Sequence, residues 1–112
     1  MLTSGDVLEL DLGIPTGSEA GMVRPAIVVT AQRVLAAEPV VIQVVPLTGT
    51  LRGYASEVPI EADPENGLEA DSAAQCQHIR AVATARVRRN IGNVGSVGLA
   101  QIRDTLSALL DL

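Results

Sequence analysis

Apolar and polar residues alternate near the start of the chain. In VLELDL (7–12), Leu8, Leu10 and Leu12 fall on one side of an extended backbone and Glu9 and Asp11 on the other. That period of two predicts a half-buried strand. GIPTGSEAGMVR (13–24) holds three glycines and a proline and reads as a loop longer than a simple hairpin needs. PAIVVT (25–30) reads as a second strand, with Pro25 at its start because proline cannot donate to a ladder. Pro25 also biases Arg24 toward an extended backbone. AQRVLAA (31–37) predicts a short helical turn, and the β-branched run PVVIQVVPL (39–47) a central strand. TGTLRGYAS (48–56) is a second polar loop, EVPIE (57–61) an edge strand and ADPENGLEAD (62–71) an acidic turn region. QCQHIRAVA (75–83) reads as a fifth strand, the basic TARVRRN follows it, and NIGNVG (90–95) is a candidate sixth. Leu99, Ile102, Leu106 and Leu109 then recur at spacings of three and four behind Ser96, which predicts an amphipathic helix over 97–110 with Ser96 as its N-cap. Five or six short strands closed by one helix make a mostly β domain.

The totals fit that picture. A chain of 112 residues is expected to form one domain, 1–112, and to bury a core without a disulfide staple. The single cysteine, Cys76, fits a reducing compartment. The opening MLTSGDVLELDLG has neither a basic leader nor a long apolar run, so a soluble, cytoplasmic protein without a membrane segment is expected.

Charge adds more by its placement than by its sum. The net charge of −5 argues against non-specific nucleic-acid binding. Residues 1–21 and 57–71, however, carry only acids, whereas 72–103 carry Arg80, Arg86, Arg88, Arg89 and Arg103 with no acid. A fold that draws Arg24 and Arg52 toward this last segment would set a local positive site on an acidic body. All eight cations are arginine; there is no lysine, phenylalanine or tryptophan, and Tyr54 is the lone aromatic.

Several chemistries find no footing. One His and one Cys cannot make a structural zinc site, the acids of 57–71 lack calcium-loop spacing, and no Gly-rich loop carries a lysine for phosphate. No metal or cofactor is therefore expected. What remains are two polar loops, each beside an apolar strand, the first ending in Arg24 and the second beginning at Thr48. Should those strands pair, a guanidinium fork and a hydroxyl would meet over one end of the sheet, a combination suited to a phosphodiester.

Four segments carry a family resemblance. GDVLELDLG (5–13), GSEAGMVRPAIVVT (17–30), VVPLTGTLRGYASEVPI (44–60) and DSAAQCQHIRAV (71–82) resemble, in order and separation, the motifs of the MazF/PemK family of toxin endoribonucleases, the mRNA interferases of toxin–antitoxin pairs. The resemblance implies an SH3-like small barrel of antiparallel strands with a C-terminal amphipathic helix, and a homodimer. It also implies metal-independent cleavage of single-stranded RNA at a short sequence, with arrest of translation and growth. A cognate antitoxin would block the RNA groove with a flexible tail. The family's catalytic arginine and threonine fall on Arg24 and Thr48. One departure is that His78 stands where the family usually has glutamine, with Gln77 one place earlier, a swap that on a strand would exchange faces.

The implied reaction is attack of a ribose 2′-OH on the adjacent phosphate, leaving a 2′,3′-cyclic phosphate and a 5′-OH. Arg24 suits donation to the phosphorane oxygens, and Thr48 suits holding one of them or orienting the 2′-OH. Arginine is a poor base, so His78, the one side chain with an ordinary pKa near neutrality, is a candidate for proton transfer. Ser18, Glu19, Arg52, Tyr54, Gln77, Arg80 and Arg86 are candidate RNA contacts. Asp71 and Ser72 are assigned to strand or dimer geometry, and Cys76 to packing. The competing readings are a gyrase-binding toxin of the related CcdB type and an inactive barrel that binds only antitoxin and DNA.

Overall fold

In a computed structural model describing residues 1–14, 17 and 22–112, the alternation at the N-terminus becomes β1 (Asp6–Asp11). It is followed by β2 (Val23–Val28), the short α1 (Gln32–Leu35), β3 (Val41–Thr48), β4 (Glu57–Ile60), β5 (Ser72–Gln75), β6 (Arg80–Ala83), β7 (Val87–Asn93) and α2 (Gly95–Leu110). Every pairing is antiparallel, and the strands lie in the order β4-β5-β3-β2-β1-β7, with β6 also on β3. None of the helices is long and apolar enough to cross a membrane among the described residues.

The sheet has seven strands rather than five or six because the expected fifth strand is broken. Between the pairs Leu47–Ala74 and Val44–Arg80, β3 moves three residues while its partner path moves six. The surplus is absorbed by a 3-10 turn at Cys76–His78. A second 3-10 turn at Thr84–Arg86 leads into β7, which starts earlier than NIGNVG alone predicts. Arg24 is likewise not a loop residue: β2 begins at Val23, and the first loop is pinched off where Leu12 donates its N–H to the carbonyl of Met22 at 2.9 Å.

Both faces of the central strands are covered. Leu8, Leu10, Ala26, Val28, Ile42, Val44 and Val82 fill one side, and α1 closes over it with Leu35. Val7, Ile27, Val45, Leu47, Ala74 and Val58 fill the other, under Ile102 and Leu106 of α2. VLELDL is therefore apolar on one face as expected, with Val7 anchoring the opposite one. Three of the four predicted stripe residues of α2 are buried, but Leu109 is 44% exposed. The helix also starts without Ser96 as a cap: the Asn93 side-chain oxygen accepts the Gly95 N–H at 2.7 Å and does the capping from outside the helix.

The 61–71 segment folds around Asn66, which is 2% exposed. Its amide oxygen accepts the N–H groups of Asp63 and Leu68, and its amide nitrogen donates to the carbonyl of Glu61. Asp71 accepts the N–H of Ala62, and the Ser72 hydroxyl donates to the carbonyl of Ala70, so both serve strand and turn geometry.

Candidate active site

The site begins with where a ladder stops. The β2–β3 pairing runs through Val28–Val44, Ile27–Val45 and Ala26–Pro46, and no further. Pro25 stands at this end, at a position whose N–H would face Leu47, and it has none to donate. Continued past its last pair, the same register would set Pro25 across from Leu47 and point Arg24 toward Thr48.

The pleat then decides what they face. Arg24 and Ala26 share a face of β2, and Pro46 and Thr48 share a face of β3. Thr48 pairs with Ala73, two residues from Gln75, and Gln75 pairs with Glu57. Arg80 pairs with Val44 and lies on the same face again. Arg24, Thr48, Gln75, Glu57 and Arg80 thus emerge from five strands onto one face, the one opposite α2, as a polar continuation of the Leu8–Ala26–Val44 core.

Glu57 is the centre of this cluster. Its side chain is only 2% exposed, yet it carries a carboxylate. Oε2 accepts hydrogen bonds from Arg52 at 2.5 Å, from the Gln77 amide at 2.7 Å and from the Gln75 amide at 3.5 Å. Oε1 is buried and has no hydrogen-bond partner among the described residues. Gln75 turns its amide oxygen to Arg24, whose guanidinium donates to it at 3.4 Å. Arg52 lies 4.5 Å from the centre of the Tyr54 ring, joining the second loop to the same carboxylate.

Burial alone pushes the Glu57 carboxyl up, but the hydrogen bonds from Arg52, Gln77 and Gln75 and the Arg52 charge outweigh it and hold the carboxyl below its ordinary value. The same Glu57 contact raises the Arg52 guanidinium. A carboxyl with a depressed native pKa stabilises the fold fully above the ordinary glutamate value of about 4.3 and stops doing so as pH falls through its native value. In urea titrations from pH 7 to pH 3, the stability difference between the wild type and Glu57→Gln is expected to be constant down to about pH 4.5 and to shrink below it.

The other sequence candidates divide. Arg80 donates to the carbonyl of Leu12 and Arg86 to that of Asp11, both at 3.3 Å, so the two arginines grip the base of the first loop. Ser18 and Glu19 lie outside the described residues. Tyr54 is 52% exposed. Gln77 and His78 sit in the 3-10 turn rather than on a strand, so the exchange of faces expected for that swap does not arise. Gln77 points its amide at Glu57, while His78 makes no hydrogen bond to Arg24, Thr48 or Glu57 among the described residues. Burial raises the Cys76 thiol to about 11, which keeps it protonated in the core, in line with a packing role. A cleft of about 280 Å³ opens beside Arg24, between Pro25, Gly67, Glu69 and Ser72.

Sequence reasoning missed Glu57 and Gln75. Glu57 was counted with the solvated acids of 57–71, although EVPI gave a clue: its apolar Val58 and Ile60 must face the α2 core, which turns Glu57 toward the other covered face.

Fold and site together define a small antiparallel β protein that presents a guanidinium and a hydroxyl at a gap in its sheet, a toxin-type barrel. The chain belongs to the family of PemK-like, MazF-like toxins of type II toxin–antitoxin systems, which it matches over residues 3–110. It is 38% identical to endoribonuclease MazF9 of Mycobacterium tuberculosis over 117 residues, a match spanning 100% of this chain and 98% of that one. Its fold is that of MazF from Deinococcus radiodurans (TM-score 0.82, 24% identity, 97% of this chain and 96% of the other). The same fold is found in an endoribonuclease solved with its cognate antitoxin from a mycobacterial species (TM-score 0.78, 18% identity, 100% and 97%).

Proposed function

We propose that this protein is an endoribonuclease toxin that cuts single-stranded RNA by attack of a ribose 2′-OH on the adjacent phosphate. RNA cleavage by a toxin is the activity of the group to which it belongs. The observation that supports the chemical detail is the β2–β3 register, whose continuation past Ala26–Pro46 points Arg24 toward Thr48. In this reading the Arg24 fork donates to the two non-bridging oxygens as negative charge builds in the phosphorane, and the Thr48 hydroxyl holds the 2′-OH or one of those oxygens. Arg80 and Arg86 shape the loop through which the strand passes, and Tyr54 offers the one aromatic face on which a base can stack. His78 is the side chain whose ordinary pKa suits proton transfer near neutrality. A cognate antitoxin with a flexible tail would cover the cleft, the active form would be a homodimer, and the protein would act in the cytoplasm.

The test is cleavage of a defined RNA pool by purified protein, with product ends identified and the rate followed from pH 5 to pH 9. The expected products carry a 2′,3′-cyclic phosphate and a 5′-OH, and His78→Gln should change the rate and the shape of the pH profile. Products ending in a 3′-OH, or intact RNA, would overturn the reading. A profile unchanged in His78→Gln would remove His78 from the mechanism and leave the rest standing.

A further inference from the structure

The buried carboxylate of Glu57 does something the cleavage reaction as described does not use. It stands on β4, three strands away from Arg24 in the sheet order, and it touches no part of the guanidinium through any hydrogen bond found among the described residues. Between them lies Gln75, on the same face and directly across from Glu57. An amide has two unlike ends of nearly equal size, and only its neighbours decide which way it turns. A carboxylate oxygen can accept but not donate, so the end of Gln75 beside Glu57 must be its NH2. Its oxygen is then turned the other way, and that is the end Arg24 donates to.

We propose that Glu57 is a positioning residue for RNA cleavage, fixing the Gln75 amide so that its oxygen holds the Arg24 guanidinium at the gap between β2 and β3. The inference rests on the reading of Arg24 as the group that meets the scissile phosphate. It explains why a carboxylate is buried here with three donors on one oxygen. Arg52 and Gln77 hold Glu57 in place, and Glu57 in turn gives the amide its sense. Its two links toward Arg24, at 3.5 and 3.4 Å, are at the long end for hydrogen bonds. A neutral amide oxygen on the guanidinium orients it by a hydrogen bond and brings no charge of its own.

The experiment uses full-length wild type, Arg24→Ala, Gln75→Leu, Glu57→Leu, Glu57→Gln and the double variant Glu57→Leu/Gln75→Leu. Single-turnover cleavage of one RNA is measured with binding affinity and urea midpoints. Gln75→Leu is expected to slow the cleavage step about tenfold with RNA affinity changed less than twofold, since the Arg24 charge remains. Glu57→Leu should do the same. The double variant should be no slower than Gln75→Leu, because one residue acts through the other. Glu57→Gln should recover most of the rate, since its amide oxygen can still take the Gln75 N–H. Multiplicative losses near a hundredfold in the double variant, or wild-type rates in both leucine variants while Arg24→Ala is inactive, would overturn the positioning role. Wild-type cleavage by Arg24→Ala would instead overturn the underlying reading of Arg24. If a leucine variant does not fold, the Arg24 guanidinium ¹⁵N–H signals of wild type and of Gln75→Met give the same decision: faster rotation in the latter than in the former supports the proposal, and equal mobility refutes it.

Discussion

Arg24→Ala is expected to lower the rate of RNA cleavage by about 10²–10³ while leaving the fold intact. The magnitude is that of removing one preorganised donor from a site where negative charge develops. The direction follows from the proposed role: the β2–β3 register, continued past its last pair, points Arg24 toward Thr48, and Arg24 is only half-buried. Little packing is lost, because the strand is held by Val7–Ile27 and Leu8–Ala26 on one side and by Ile27–Val45 on the other. Far-UV circular dichroism and the urea midpoint should therefore stay close to wild type. Arg24→Lys separates charge from shape: a lysine restores the positive charge but not the fork, so it should bind RNA nearly as well as wild type and cleave at a rate between the two. Full activity in Arg24→Ala, with product ends unchanged, would place the chemistry elsewhere in the molecule.

Thr48 is coupled to this result through Pro25. An N–H at position 25 would face Leu47 and could carry the β2–β3 ladder on toward Thr48. The end of the ladder is therefore written into the chain as Arg-Pro. This part of the site was legible from sequence. Apolar strands flanked by polar loops indicated which ends could meet, and the residue types indicated what they could hold.

Other features were not legible, for physical reasons. The path QCQHIRAVA is apolar enough to pass as one strand, and its interruption depends on the length of β3 alongside it, which no local pattern encodes. Glu57 sits among six acids in fifteen residues, and five of them do behave as surface or turn groups; what sets Glu57 apart is its partners, Arg52 from the second loop and Gln75 and Gln77 from the end of β5 and the turn after it. Gln75 lies in DSAAQC, where a glutamine has no distinguishing period, and its importance comes from having a carboxylate across the ladder and an arginine two strands away. Arg52 was read as a candidate RNA contact, but its charge is taken by Glu57 and its plane by Tyr54. Ser96 looked like a cap because it precedes the stripe; the helix starts one residue earlier, and Asn93 reaches the N–H that needed a partner.

Gly67→Ala is expected to destabilise the fold strongly, and a graded glycine series makes the cause separable. Gly67 has φ +69°, in the region that favours glycine, and a Cβ there would overlap the carbonyl oxygen of Ile91 in β7. Neither atom can move cheaply: Gly67 is tied by its N–H to the carbonyl of Asp63, and the adjoining Asn93 N–H is bonded to the carbonyl of Glu65. Backbone strain and overpacking each cost about 1–3 kcal/mol, so a loss of about 3 kcal/mol or more is expected. That corresponds to a fall in Tm of roughly 10 °C or more. Gly53 has the same φ but nothing within 4 Å of its Cβ position, so Gly53→Ala should show only the backbone part, about 1 kcal/mol. Gly49 has open space and no positive φ, and Gly49→Ala should leave the urea midpoint unchanged or slightly raised. The order Gly67 > Gly53 > Gly49 in midpoint shift would establish that the 61–71 segment is clamped against β7 by backbone contact. Gly67 also lines the cleft that Pro25, Glu9 and Ile91 border, so that clamp fixes one wall of the cleft. Equal shifts for Gly67→Ala and Gly53→Ala would show that the segment yields, and that the cleft wall is not set by this contact.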